Sequence, residues 1–339
     1  MNETHPRKLD HPAVWKGNEL LARRDWTHQL TDQEREEVLA ASRLPVPSTP
    51  KFTSPERFPL PHLGKRLHAI RHDLEHGSGA TLIQGLPVED MSEEEARRTF
   101  IGLTCWLGIP VSQSSAGDLV FSVRDQGLPK DDPKVRGPIT NRRLSFHTDR
   151  CDVIGFLCLQ QAMTGGENEL VSSPALYNEI ATLRPDLLEA LMQTFVYKRH
   201  VVDGGNQAPY CEQPIFSFCQ GHFAASFLRV LIDRADEDPD LPNLSETQRE
   251  ALDFLEDTAE RPEMHVRFRQ QTGDALFLNN WVNFHRRSAF TDWPEPEKRR
   301  HLLRIWLSVP NSRPLDPCFL PNFGNVGPGA VRGGMLPAT

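Results

Sequence analysis

Two textures of hydrophobic patterning divide the chain near residue 110. Before it, apolar residues recur at helical spacing among polar ones. "TDQEREEVLAASRL" opens with Thr31 and Glu34 in capping-box spacing, and "SEEEARRTFIGLTCWLG" opens with Ser92 and Glu95 in the same arrangement. Between them, "HLGKRLHAIRHDLEHGSG" repeats apolar residues every three or four positions and stops at Gly77. The spacing predicts three helices, with "GATLIQGLPV" at 79–88 a buried strand between the last two.

After residue 110 the runs shorten: "DLVFSVRD", "DVIGFLCLQQAM", "ENELVSS", "QTFVYKRH", "PIFSF", "HFAASFL", "MHVRFRQ", "DALFLNN" and "RHLLRIWLSV" are separated by turn residues and read as strands. Helical patterns interrupt them at 173–192 and in "LSETQREALDFLEDTAE", where Ser245 and Gln248 form a further capping box. The closing "GNVGPGAVRGGMLPAT" reads as a loose tail. Helices followed by many strands predict an α+β fold with a closed or sandwiched β-core. One domain is expected over 1–339: a helical extension to residue 78, a core over 79–310 and a loop-rich tail over 311–339.

Composition narrows the classes. The 339 residues include 38% hydrophobic and 25% charged residues, as in an ordinary globular protein, and 28 prolines fit many loops. A formal charge of −8 speaks against a nucleic-acid partner, which needs a surplus of clustered Lys and Arg. No run approaches the apolar length of a membrane span, and "MNETHPRKLD" lacks a secretory apolar stretch, so a cytoplasmic location is expected. The six cysteines have no CxxC spacing and read as reduced buried thiols.

Chemistry concentrates in "LSFHTDRCDVIGF", 144–156, where a strand-like run carries two ionisable groups. Alternation places His147 and Asp149 on one face and Phe146 and Thr148 on the other. Burying a carboxylate without a partner costs several kcal/mol, so a hydrogen bond, solvent at the strand end or a metal ion must satisfy it. A third ligand is offered by His285 in "GDALFLNNWVNFHRRSAF", whereas His62, His68, His72 and His76 sit on or beside a polar helix, and His200, His222, His265 and His301 lie in strands without a nearby carboxylate pattern. Two imidazoles and one carboxylate form the facial set that holds non-heme Fe(II) and leaves positions open. A 2-oxo acid filling two of them needs a cation at its far carboxylate. Arg300, Leu302, Arg304 and Trp306 alternate along "EKRRHLLRIWLSV" and share a face, and arginine suits a bidentate grip on a carboxylate.

"FHTD", then "TGGENE", then "GDALFLNNWVNFH" with "RRHLLRIWL", in that order and separation, resemble the taurine dioxygenase and clavaminate synthase-like family of Fe(II)/2-oxoglutarate oxygenases, from about residue 80 to 310. The resemblance implies a double-stranded β-helix, or jelly roll, with helices outside. It implies His147, Asp149 and His285 as iron ligands, Arg300 as the anchor of the distal carboxylate of 2-oxoglutarate, and Arg304 as a contact to an anionic substrate group. Where the family commonly has a threonine after the paired glycines, this chain has Asn168, whose amide can still donate to a carboxylate, with Ser172 or Ser173 as substitutes.

The implied reaction consumes O2, converts 2-oxoglutarate to succinate and CO2, and oxidises an unactivated C–H bond, with hydroxylation the default. Asp149 disfavours halogenation. Arg304 and the chain's acidity suggest a small anionic or amino-acid-like substrate, with Phe146, Gln113, Asn279 and Asn280 as possible lining residues. The family also permits a homo-oligomer. Two other classes stay open: a jelly-roll hydrolase using a metal-bound water, and a ligand-binding barrel without catalysis.

Overall fold

A computed structural model describes residues 8–44, 54–127, 137–204 and 208–336. In the first part, α1 (Gly17–Ala22) and β1 (Thr27–Gln29) precede α2 (Asp32–Ser42), α3 (Leu63–His76), β2 (Ala80–Gln84) and α4 (Glu93–Thr104). The capping boxes form as read: the Thr31 and Ser92 hydroxyls accept from the Glu34 and Glu95 amides and start α2 and α4. β1 pairs in parallel with β2, so the helical extension also supplies the edge of a sheet.

The strands that follow are β3 (Ile109–Val111), β4 (Val120–Val123), β5 (Val153–Gln160), β6 (Thr164–Gly165) and β7 (Asn168–Ser172). Helices α5 (Ser173–Leu183) and α6 (Pro185–Leu191) lead to the hairpins β8 (Phe195–Lys198) with β9 (Tyr210–Gln213) and β10 (Phe216–Cys219) with β11 (His222–Ala225). After α7 (Arg229–Asp236) and α8 (Glu246–Glu260) come β12 (His265–Phe268), β13 (Ala275–Asn279), β14 (Asn283–Arg287), β15 (Phe290–Thr291) and β16 (His301–Ser308), then α9 (Leu320–Phe323).

Seven strands make the larger sheet in the order β1-β2-β13-β5-β16-β3, with β4 also paired to β16, and β12-β7-β14 make the smaller one. Alternation decides what each face meets. On the larger sheet Val153, Leu157, Phe277, Leu303, Ile305 and Leu307 face outward and pack on Leu67, Ile70 and Leu74 of α3 and Phe100 and Leu103 of α4. The intervening Ile154, Leu276, Leu278 and Trp306 face inward and meet Leu170 and Val266 of the smaller sheet. The smaller sheet's other face, with Val171 and Phe284, is covered by α5, α6 and α8 through Leu176, Ile180, Leu187, Leu191, Leu252 and Leu255. Two sheets face to face, antiparallel except for the β1–β2 edge, with helices outside are the expected jelly-roll core. Among the described residues no helix is long and apolar enough to cross a membrane.

Two expectations change. The HTD segment is not inside a strand: β5 begins only at Val153, and His147 touches the smaller sheet through one isolated bridge to His285. The backbone turns because its next groups bond elsewhere, Thr148 N to the Phe227 carbonyl and Asp149 N to the Asn280 side chain. The tail is also not loose up to residue 336. Arg332, 2% exposed, donates from Nε to Asp152 at 2.6 Å, and the Gly334 and Met335 amides donate to the carbonyls of Arg150 and Ser112. Residues 337–339 lie outside the described residues.

Candidate metal centre and oxo-acid cleft

The site stands between the two sheets. The His147 and His285 amides each donate to the other's carbonyl, at 3.1 and 3.0 Å, which fixes the two histidines side by side with ring centroids 4.5 Å apart. Although the segment is not a strand, its alternation survives. Phe146 and Thr148 are buried to one side, while His147 and Asp149 turn to the other. One ligand atom from each of His147, Asp149 and His285 lies within 4.8 Å of the others. No other such group of three or more His, Cys, Asp or Glu occurs among the described residues.

The chemistry of this donor set fits a divalent metal. His147 Nδ1 lies 2.9 Å from the Ser145 carbonyl, an acceptor only, so Nδ1 carries the proton and Nε2 keeps its lone pair. Burial, reinforced by the neighbouring His285, lowers the His147 pKa to about 4, so the ring is neutral and able to ligate at pH 7. Burial opposes ionisation of Asp149, but the Arg304 guanidinium, His285 and His147 outweigh it and hold the carboxyl well below the usual range. Asp149 Oδ2 is buried without a hydrogen-bond partner, touching His285 Nε2 only at 3.4 Å. An anionic oxygen in that state calls for a cation.

A cleft opens beside His147 and His285 and is lined by Phe156, Asn168, Arg287, Arg300, Leu302 and Arg304, with Val123, Pro138 and Leu144 among the others. Arg300, immediately before β16, and Leu302 and Arg304 within it face the cleft, as the alternation predicts. Arg300 is 4% exposed with Nη1 unpaired, and burial lowers its pKa to about 10, so it remains a cation at pH 7 with a donor idle. The glycines of "TGGENE" permit close packing beside it, and Gly166 leaves room for the Arg300 side chain. Both have positive φ; a Cβ on Gly165 would strike the Ala289 carbonyl at 2.2 Å, and one on Gly166 would crowd Arg300 Nε at 3.1 Å.

The remaining expected residues divide. Asn168 lines the cleft, but its Nδ2 donates to Gln270 at 3.0 Å. Ser172 and Ser173 sit at the other end of β7, where the Ser172 hydroxyl bonds Ala13 and starts α5, so neither replaces it. Arg304 reaches the cleft, yet it is held there, with Nε 2.7 Å from Gln113 Oε1 and Nη1 3.6 Å from Asp149 Oδ1. Gln113 is buried and returns its amide to the carbonyls of Arg304 and Leu119, so it braces Arg304. Phe146 packs in the core beneath the Arg286 guanidinium, 3.9 Å away, and does not face the cleft. Asn279 bonds Glu75 and the end of α3, whereas Asn280 holds the Asp149 amide and Cys151.

Sequence patterning does not single out Arg287, Phe156 or Phe290. Phe156 is legible from the alternation of β5; Arg287, the second residue of an Arg-Arg pair, shares the inward face of β14 with His285.

The model of the family described as taurine catabolism dioxygenase TauD, TfdA family matches residues 46–306. FR-33289 synthase of Streptomyces rubellomurinus is 31% identical over 312 residues, covering 89% of this chain and 90% of that protein. Among solved structures, an asparagine oxygenase in complex with Fe(II), 2S,3S-3-hydroxyasparagine and succinate superposes with a TM-score of 0.64 at 19% identity, over 84% of this chain and 94% of its own. The non-heme iron oxygenase OrfP, in complex with Fe, succinate and (3S)-hydroxy-L-Arg, gives 0.59 at 15% identity over 83% and 94%.

Proposed function

From the premise that the chain belongs to the taurine catabolism dioxygenase TauD, TfdA family, and so is an Fe(II)/2-oxoglutarate-dependent oxygenase, we propose that it hydroxylates an unactivated C–H bond of a small anionic or amino-acid-like molecule. Its cofactor is Fe(II), and 2-oxoglutarate and O2 are co-substrates. The observation that carries the reading is a cleft that joins the two histidines of a two-histidine, one-carboxylate set to an unpaired buried arginine nitrogen.

His147, Asp149 and His285 would hold the iron, and Arg300 would hold the distal carboxylate of 2-oxoglutarate. The iron supplies O2 activation coupled to decarboxylation of the oxo acid to succinate and CO2. The chain's part is placement. The paired His147 and His285 backbones fix two ligands, Asn280 fixes the backbone of the third, and Phe156 and Leu302 wall the cleft with apolar surface that keeps water from the reacting centre. The amino-acid-like substrate is supported by the hydroxylated amino acids in the asparagine oxygenase and OrfP complexes, and by the cation Arg304 beside the metal set. Six cysteines, none of them in a disulfide, suit a reducing compartment, which supports the cytoplasm.

Anaerobic titration with Fe(II) and then 2-oxoglutarate tests the class. A weak visible charge-transfer band is expected, followed in air by succinate release that the right small acid or amino acid stimulates. Metal binding without the band would put a metal-dependent hydrolase in its place.

A further inference from the structure

The cleft contains one idle guanidinium edge more than the proposed chemistry uses. Arg287 is 5% exposed, and its Nη1 is buried without a hydrogen-bond partner, as is that of Arg300. Its other nitrogens are committed, Nη2 to the Arg142 carbonyl and Nε to the Ser288 carbonyl at 3.2 Å, so the guanidinium is fixed with one edge free. Both guanidinium groups stand against Phe290, 4.8 Å from its centroid for Arg287 and 5.1 Å for Arg300. Two like charges buried together, each with an idle donor, form an arrangement that an anion between them stabilises.

Their place in the sheets says which anion. Arg287 is the cross-strand partner of Asn168, two residues beyond Gly166, whose missing side chain leaves room for Arg300. Arg304, which meets Asp149, is four residues along the chain from Arg300, about 13 Å at strand spacing. Arg287 therefore belongs to the end of the cleft that receives the oxo acid's far carboxylate, away from the end beside Asp149.

We propose that Arg287 is a second anchor for 2-oxoglutarate, donating to the same distal carboxylate that Arg300 holds, so that the co-substrate is gripped by two arginines. This rests on reading the cleft as an Fe(II)/2-oxoglutarate site. The two oxygens of a carboxylate accept from both guanidinium groups, and charge-assisted bonds of this kind are about twice as strong as neutral ones. The clamp favours oxo acids with a distal carboxylate over those without one.

The test compares 2-oxoglutarate with pyruvate, which keeps the chelating end and lacks the distal carboxylate. Dissociation constants are measured without O2 on the Fe(II)-loaded protein by calorimetry. In Arg287→Met, 2-oxoglutarate is expected to weaken by about ten- to a hundredfold, while pyruvate changes by less than about twofold. Arg287→Lys, which keeps the charge without the fork, recovers part of the loss and serves where the methionine variant does not fold. In an Arg300→Met background, Arg287→Met costs less than it does alone, because both act on one carboxylate. Equal weakening of both oxo acids, no weakening of either, or a change confined to the KM of the primary substrate overturns the proposal. Failure of the unsubstituted protein to bind 2-oxoglutarate overturns the oxygenase reading itself, a different result from any change between variants.

Discussion

The Arg304 guanidinium lies 3.6 Å from the Asp149 carboxylate, linking the middle of β16 to the one acidic residue of the candidate metal set. Gln113 grips the same arginine from behind, accepting from its Nε at 2.7 Å and donating to its carbonyl at 2.8 Å. A residue that the family resemblance assigns to substrate thus also stands against the carboxylate of the candidate metal set.

Replacing Arg304 should therefore disturb the metal as well as the substrate. Groups that orient metal ligands typically contribute tenfold to a hundredfold in affinity. Arg304→Met is expected to weaken Fe(II) binding by about that range, with Gln113→Leu giving a smaller loss, as measured by anaerobic Fe(II) titration. Unchanged Fe(II) affinity with a raised substrate KM would leave Arg304 a substrate contact alone.

The three candidate ligands are separable from their scaffold by a stability measurement. A ligand at a hundred times its dissociation constant stabilises the folded state by about 2.7 kcal/mol. Fe(II) should raise the melting temperature of the unsubstituted protein, and the rise should vanish in His147→Ala and His285→Ala. Persistence of the full rise in both variants would remove these residues from the ligand set.

Much of this site is legible in the sequence because period-two alternation acts over a few residues. It puts His147 with Asp149, and Arg300 with Leu302 and Arg304, on common faces. The same alternation overstates the strand around HTD: it persists in any extended segment, whereas a sheet needs a continuous ladder, and here the only bridge is that of His147 with His285. Asn280 reads as a turn former because its bond to Asp149 joins residues 131 apart. Arg332 reads as part of a loose tail because Asp152 is 180 residues away. Contacts of that separation leave no local pattern.

The Arg332–Asp152 pair ties the C-terminal segment to the loop that carries Asp149. Asp152 Oδ1 also accepts from Trp281 Nε1 at 2.9 Å, and Oδ2 from the Val309 amide at 3.0 Å. Removing one partner leaves a buried charge uncompensated, at a cost of about 3–5 kcal/mol. Arg332→Met is expected to lose that much in denaturant unfolding. A loss under about 1 kcal/mol would mean that the tail is held by its backbone bonds alone.

His301 predicts how the fold responds to acid. Its ring, on the residue next to Arg300, is 6% exposed, with Nε2 2.9 Å from the Ser122 hydroxyl and Nδ1 3.8 Å from Glu93. Burial lowers its pKa from 6.5 to about 4; Glu93 pulls the other way, while Arg124, Arg97 and Arg300 reinforce the fall. As pH drops below 6.5 the unfolded chain takes up this proton and the folded chain does not, so stability declines. The decline from this group ends near pH 4, where the folded imidazole is protonated too, and above 6.5 its contribution is constant. His301→Gln keeps a hydrogen-bonding group toward Ser122 and removes the titration. Its melting temperature should therefore fall less than that of the unsubstituted protein between about pH 7 and about pH 4.5, when both are measured without metal. Parallel curves over that interval would show that His301 does not contribute to the acid sensitivity of the fold.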